Sequence, residues 1–231
     1  MSPQERSRWH RFLKRVLRFL LRMWLSIETH GLEKVPPQGA VIIYCNHANF
    51  LDPVVASAVL DRDAAIMGKQ ELFRNPIMGL VYRLYGVFPI RRAEGDVPAY
   101  RTALKLLREG GLLILAPEGT RSGTGILQRG KPGLIDLALR TGALIQPMSV
   151  VGGLPIYRNM AKLRRTKIVV RTGDPYRPAA SSRKPPREEV QRLTDEAMYK
   201  LAALMPPELR GVYADASIAA DGFAAQGANR A

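Results

Sequence analysis

The chain has 231 residues, 46% hydrophobic and 24% charged, with a formal net charge of +15. That length buries a sizeable core in one domain, and the charge calls for a polyanionic partner: nucleic acid, an anionic membrane surface or acidic substrates. A single cysteine, Cys45, excludes an internal disulfide framework and fits a reducing compartment. No apolar stretch reaches the ~20 residues of a spanning helix, and arginines break the N-terminal run that a signal peptide would need.

In chain order, residues 9–27, "WHRFLKRVLRFLLRMWLSI", read first as an amphipathic helix. At about 100° per residue, Arg11, Lys14, Arg15, Arg18 and Arg22 fall within roughly a 100° arc. Trp9, Phe12, Leu13, Val16, Leu17, Phe19, Leu20, Met23 and Trp24 fill the opposite side. A basic stripe against a Trp/Phe/Leu face suits the surface of an anionic bilayer, and both tryptophans of the chain sit here. The competing reading is a helix that packs its apolar face on the domain. Nucleic acid is the other use of the charge, but zinc-finger spacing, an aromatic-basic RNP string and heptads are all missing.

Residues 31–39 read as a linker into a strand at 40–45, "AVIIYC". A helix over 52–60 follows, with Asp52 as N-cap and Pro53 at the first helical position. The pattern then predicts a strand near 64–67, helices over 75–84 and 97–109, and a strand over 112–116. A helix over 132–141, strands over 144–151 and 166–172, and a helix over 187–204 complete the series. Alternating strands and helices predict a single α/β domain with a mixed, largely parallel sheet flanked by helices. The expected organisation is a membrane-associating helix over 1–30, the domain over 31–205 and an Ala/Gly-rich mobile tail over 206–231.

Two strings follow apolar strand-like runs. "NHANFLD" (46–52) sets His47 and Asp52 five residues apart, after a strand and before a helix, so the carboxylate can reach back to the imidazole. The pair serves either as a general base with its orienting acid or as a structural histidine beside a capping aspartate. "APEGTRS" (116–122) puts Glu118, Gly119, Thr120 and Arg121 on one tight turn, where backbone N–H groups and a guanidinium suit phosphate. Lys69, Arg91, Arg92, Arg129 and Lys131 are either further site cations or exposed charges. In an α/β domain, ligands gather at the carboxyl ends of strands. Cys45 in "IIYCNH" is more readily a buried apolar residue than a nucleophile. A base without a protein nucleophile needs a substrate hydroxyl.

These strings resemble the glycerophospholipid acyltransferases. "NHANFLD" resembles that family's N-H-x-S-x-x-D, with Asn49 at the serine position. "GVFPIRR" (86–92) is similar to its Gly-x-[Ile/Phe]-Phe-Ile-x-Arg, with Arg92 as the matching arginine and Pro89 as a departure. "APEGTRS" resembles Phe-Pro-Glu-Gly-Thr-Arg-Ser, with Ala116 for phenylalanine, and "IQPMSV" resembles the Val-Pro-Val strand through Pro147. The resemblance spans roughly residues 30–175.

It implies that His47, oriented by Asp52, deprotonates a glycerol hydroxyl, which attacks an acyl thioester. Lys69, Arg92, Glu118, Gly119, Thr120 and Arg121 would hold the acceptor's phosphate. No metal or cofactor is implied; acyl-CoA or acyl-carrier protein is the co-substrate. The expected acceptor is 1-acylglycerol 3-phosphate, giving phosphatidic acid, with another lysolipid, a lyso-aminolipid or glycerol 3-phosphate as alternatives. The expected partners are anionic membrane lipids and not nucleic acid, and the expected location is peripheral or monotopic on the cytoplasmic face of the cell membrane. A non-catalytic basic binding module is the reading from another class, and it has no use for the His47/Asp52 pair.

Overall fold

The computed structural model describes residues 3–91, 96–182 and 184–215, with side chains from residue 8 onward. Its frame is a seven-stranded sheet. The strands are β1 (Leu25–His30), β2 (Val41–Cys45), β3 (Ala64–Lys69), β4 (Val87–Ile90), β5 (Leu112–Leu115), β6 (Leu144–Val151) and β7 (Thr166–Thr172). They stand in the order β1-β7-β6-β2-β5-β3-β4. The five from β6 to β4 run parallel, β7 is antiparallel to β6, and β1 is parallel to β7. The central runs "VIIYC" and "LLIL" are apolar without alternation because both faces of those strands are covered.

Helices α1 (Pro3–Trp24), α2 (Asp52–Val59), α3 (Pro76–Leu84) and α6 (Ile156–Ala161) form one layer. Helices α4 (Val97–Arg108), α5 (Gly133–Thr141) and α7 (Arg187–Ala203) form the other. The segregation follows from crossover handedness. The steps β2-α2-β3 and β3-α3-β4 move outward along the sheet, whereas β4-α4-β5 and β5-α5-β6 return. Right-handed connections therefore place their helices on opposite faces. The chain leaves β2 on one side and later crosses to its other side to place β6, so the crevice opens at the carboxyl end of β2.

Four expectations change. Residues 206–215 of the expected mobile tail pack on the domain, with Tyr213 buried and its hydroxyl accepting from the Gly130 N–H at 3.1 Å, while residues 216–231 lie outside the described residues. Residues 25–30 are neither helix nor linker but β1, an edge strand whose Leu25 is 1% exposed and pairs with Thr166. The short helix α6 was not anticipated. Asp52 begins α2 without capping it: Leu51 holds the N-cap position, and the Asp52 carboxylate turns back toward the preceding loop.

Helix α1 also sits differently from either reading of its amphipathic pattern. Its domain-facing side carries Leu13, Leu17 and Leu21, but also buried His10 and Lys14 and half-buried Arg18. Arg18 donates to the carbonyls of Ala58 (2.6 Å) and Leu60 (2.7 Å), the electronegative end of α2. Lys14 donates to the Arg62 carbonyl at 2.7 Å. Trp9, Phe12, Val16, Phe19, Leu20 and Met23, all between 40% and 65% exposed, face outward beside exposed Arg11, Arg15 and Arg22. Among the described residues no helix is long and apolar enough to cross a membrane.

Burial, then Arg18, push the Lys14 ammonium down to about 8 from its ordinary 10.5. A lysine lowered on folding binds fewer protons in the native state, so it costs stability below about 8 and the cost fades as the pH approaches 10.5. The stability of Lys14→Met minus that of the native protein should therefore fall as pH rises through this window in denaturant titrations. A pH-independent difference would refute the buried ammonium.

Candidate active site

At the carboxyl end of β2 the backbone leaves the sheet, and Asn46 continues the ladder with its side chain. Its amide donates to the Val150 carbonyl (2.9 Å) and accepts from the Val150 N–H (2.8 Å), pinning the loop to β6. His47 follows. Its N–H donates to Glu118 Oε1 at 2.8 Å, and its carbonyl accepts from the Ser122 N–H at 2.8 Å. The loops after β2 and β5 are thus joined through the backbone of the histidine itself.

Asp52 is 2% exposed, and its Oδ2 accepts from the N–H groups of Ala48 (2.7 Å) and Asn49 (2.6 Å). The same oxygen lies 3.8 Å from His47 Nδ1, beyond hydrogen-bond reach. Nδ1 is buried and has no hydrogen-bond partner. The Asn49 amide accepts from the Leu51 N–H (2.8 Å) and donates to the Gly153 carbonyl (2.8 Å), so it ties the loop after β2 to the loop after β6. A Cβ on Gly153 would sit 3.3 Å from Asp52 Oδ1, a tight contact that would press on the buried carboxylate.

Glu118 is placed differently from its expected role. It is 2% exposed, and both oxygens are occupied by backbone donors, His47 on Oε1 and Gln128 on Oε2 at 3.0 Å. Burial raises its pKa, and the two N–H donors pull it partly back. It is a positioning residue and offers no free oxygen to a ligand. The turn itself is exposed at Gly119, Thr120 and Arg121. Gly119 has φ +70, and a Cβ there would press on the Lys131 side chain at 3.0 Å, so glycine serves both the left-handed turn and the approach of that ammonium.

Lys69 ends β3 on the same edge of the sheet and is exposed, with Glu71 at 3.1 Å. Arg91 follows β4 and donates from Nε to Gln70 at 2.7 Å. Arg92 lies outside the described residues. Arg121 and Lys131 are exposed and make no ion pair among the described residues. The topology therefore gathers Arg91, Lys69, Arg121 and His47 at the carboxyl ends of β4, β3, β5 and β2. Arg129 instead lines a groove of about 1480 Å³ beside α5 and α7 that holds no residue of this site. Cys45 is 1% exposed, and burial pushes its thiol far above the ordinary range, so it is no nucleophile. No cluster of three or more His, Cys, Asp or Glu side chains able to hold a metal ion occurs among the described residues.

An acyltransferase family model matches residues 26–151, more than half the chain and every site position expected from the sequence. The chain belongs to the acyltransferase family. It is 30% identical over 145 residues to a chloroplast 1-acyl-sn-glycerol-3-phosphate acyltransferase of Arabidopsis thaliana, covering 58% of this chain and 40% of that protein. Against a 1-acyl-sn-glycerol-3-phosphate acyltransferase of Bacillus subtilis it is 23% identical over 196 residues, covering 84% and 96%. Thus the chain spans less than half of the plant relative but nearly all of the bacterial one. The crystal structure of PlsC, the 1-acyl-sn-glycerophosphate acyltransferase of Thermotoga maritima, shares the fold with a TM-score of 0.66 and 25% identity over 85% of this chain and 80% of that one.

Within this acyltransferase, sequence reasoning missed Asn46, Asn49 and Gly153 as parts of the site. Asn46 and Asn49 were visible in the string "NHAN", but their partners Val150 and Gly153 lie about a hundred residues away. His47→Ala should lower turnover at least ~10²-fold, the scale of a lost general base, with an unchanged circular dichroism spectrum. A folded variant with native turnover would remove His47 from the chemistry. Glu118→Gln turns an N–H donor toward a backbone N–H and should cost ~1–3 kcal/mol of stability together with much of the turnover. Native stability and native rate in that variant would contradict the bridging role.

Proposed function

We propose that this acyltransferase transfers an acyl chain from acyl-CoA or acyl-carrier protein to the free hydroxyl of 1-acylglycerol 3-phosphate, producing phosphatidic acid for phospholipid biosynthesis. The observation that carries the reading is the junction of the two loops: an imidazole with buried Asp52 behind its Nδ1 stands beside an exposed turn ending in Arg121, which makes no ion pair among the described residues. The names of the bacterial relatives support this choice of acceptor.

With Nδ1 directed inward, Nε2 is the nitrogen left for substrate. It takes the proton of the glycerol hydroxyl as the oxygen bonds to the thioester carbonyl carbon. The tetrahedral oxyanion collapses, the carbon–sulfur bond breaks, and the leaving thiolate takes the proton back from the imidazolium. Asp52 stabilises that imidazolium. The 3.8 Å separation closes as the charge develops, since catalytic hydrogen bonds often tighten only in the reacting complex. Arg121, with Lys69, Lys131 and Arg92 as further cations, neutralises the acceptor's phosphate. Gly119 and Thr120 shape that turn.

Anionic membrane lipids are the proposed partner surface, with the enzyme peripheral or monotopic on the cytoplasmic face of the cell membrane. What supports this is the outward apolar side of α1 with its row of arginines. The test is acyl transfer with a panel of acceptors and both donors, with products identified by mass spectrometry. Phosphatidic acid should dominate with 1-acylglycerol 3-phosphate; acylation only of an acceptor without phosphate would sink the assignment. Arg121→Ala should reduce kcat/KM for the phosphate-bearing acceptor by ~1.5–3 kcal/mol and leave the KM for the thioester near its native value. Equal losses toward both substrates would take Arg121 out of the acceptor site.

A further inference from the structure

The large apolar side chains that the helices leave in solvent gather mainly in one layer. Beyond α1, they occur on α3, where Ile77, Met78 and Leu80 are 68%, 44% and 55% exposed, and in the segment through α6, where Leu154, Tyr157 and Leu163 are 44%, 65% and 83% exposed; Phe50, Ile126 and Val212, at 38%, 44% and 59%, lie outside the α-helices. All three elements belong to one layer of the sheet. The helices of the other layer, α4, α5 and α7, expose a single such side chain among the described residues, Val97 at the start of α4. Singly scattered apolar residues would need no explanation; a whole layer of them does.

Within these segments the charge has one sign, although Asp61, Asp63, Glu28 and Glu71 stand beside them on neighbouring elements. Residues 74–85 contain Arg74 and Arg83 and no acid, and residues 153–167 contain Arg158, Lys162, Arg164, Arg165 and Lys167 and no acid. Residues 8–24 of α1 likewise contain no acid. In the other layer, α7 alone carries Glu188, Glu189, Asp195 and Glu196. Apolar tips ringed by cations match an interface of acyl chains beneath anionic headgroups.

Leu163 supplies an independent sign. It is the only non-glycine residue with positive φ among the described residues, at φ 52. The chain closes α6 there with the Arg164 N–H donating to Asn159 O and the Leu163 N–H to Met160 O, a pair of bonds that normally places glycine at this position. A leucine held in the left-handed region and 83% exposed contributes nothing to packing to offset its strain.

We propose that α3 and the 154–163 segment are a second and a third membrane contact, so that the layer holding α1, α2, α3 and α6 lies against an anionic bilayer. This rests on the membrane-surface reading of α1 and extends it from one helix to a face. Its occupant is a bilayer, not a second copy of the chain.

The test is flotation of the full-length protein with phosphatidylcholine vesicles that contain or lack phosphatidylglycerol. The variants are Ile77→Ser/Leu80→Ser, Leu163→Gly, and Phe12→Ser/Phe19→Ser as the α1 reference. Each should partition ~3- to 10-fold more weakly into anionic vesicles, the range expected on withdrawing one or two partly inserted apolar side chains. Leu163→Gly should melt no lower than the native protein, because glycine fits the left-handed turn, so its loss of binding cannot be misfolding. Native flotation of both the α3 and the Leu163 variants, with release of the α1 variant, would overturn the proposal and leave the α1 reading standing. Native flotation of all three would overturn both. A native dimer in vesicle-free light scattering that Ile77→Ser/Leu80→Ser turns to monomer without changing flotation would make the face a self-association surface and overturn the proposal.

Discussion

The site depends on one buried carboxylate. Glu118 has surrendered its solvent and accepts N–H groups from His47 and from Gln128, so its two oxygens hold the loop after β2 and the far side of the β5 turn at fixed separation. Burying a charged carboxyl is costly, and its raised pKa records that cost; charge-assisted bonds to backbone donors offset it. Because one donor is the N–H of His47, the bridge sets that histidine relative to the Gly119–Arg121 turn without touching the imidazole. Asn46 and Asn49 repeat the strategy toward β6 and the loop after it. The His47 side chain is therefore placed by its backbone, held from three sides.

What could be read in the sequence were the features whose partners are near in the chain. The strings around His47 and Glu118, the unbroken apolar runs of β2 and β5, and the alternation of strand and helix all carry local signals. Lys69, Thr120 and Arg121 came out at the expected edge of the sheet for the same reason: each ends or follows a recognisable strand. The missing parts were long-range. β1 has a weak pattern because it is an edge strand, and only β7, far along the chain, makes it a strand. Glu118 in isolation looks like a ligand-binding charge on a turn; nothing nearby shows that the N–H of His47 will occupy it. Asp52 looks like a helix cap because Pro53 follows, but the donors of Ala48 and Asn49 lie closer to its carboxylate.

Helix α1 shows how a correct periodicity can be assigned the wrong neighbours. The two-sided pattern suggested cations toward lipid and apolar residues either toward lipid or toward the core. The fold uses three sides. His10, Lys14, Arg18 and three leucines face the domain, six apolar side chains face out, and the remaining arginines form the border between them. The sequence could not show that the end of α2 presents free carbonyls at Ala58 and Leu60 to attract a guanidinium.

The register of β1 against β7 has a consequence for how the molecule comes into being. Leu25 is made long before its partner Thr166, which emerges only after most of the sheet has been made. Until then neither the edge of the sheet nor the seat of α1 is complete, and the greasy N-terminal helix travels without its intended support. Contacts so distant along the chain close late. For the nascent polypeptide this leaves the apolar side of α1 waiting on the last strand of the sheet, so the exposure of those side chains is greatest before folding ends.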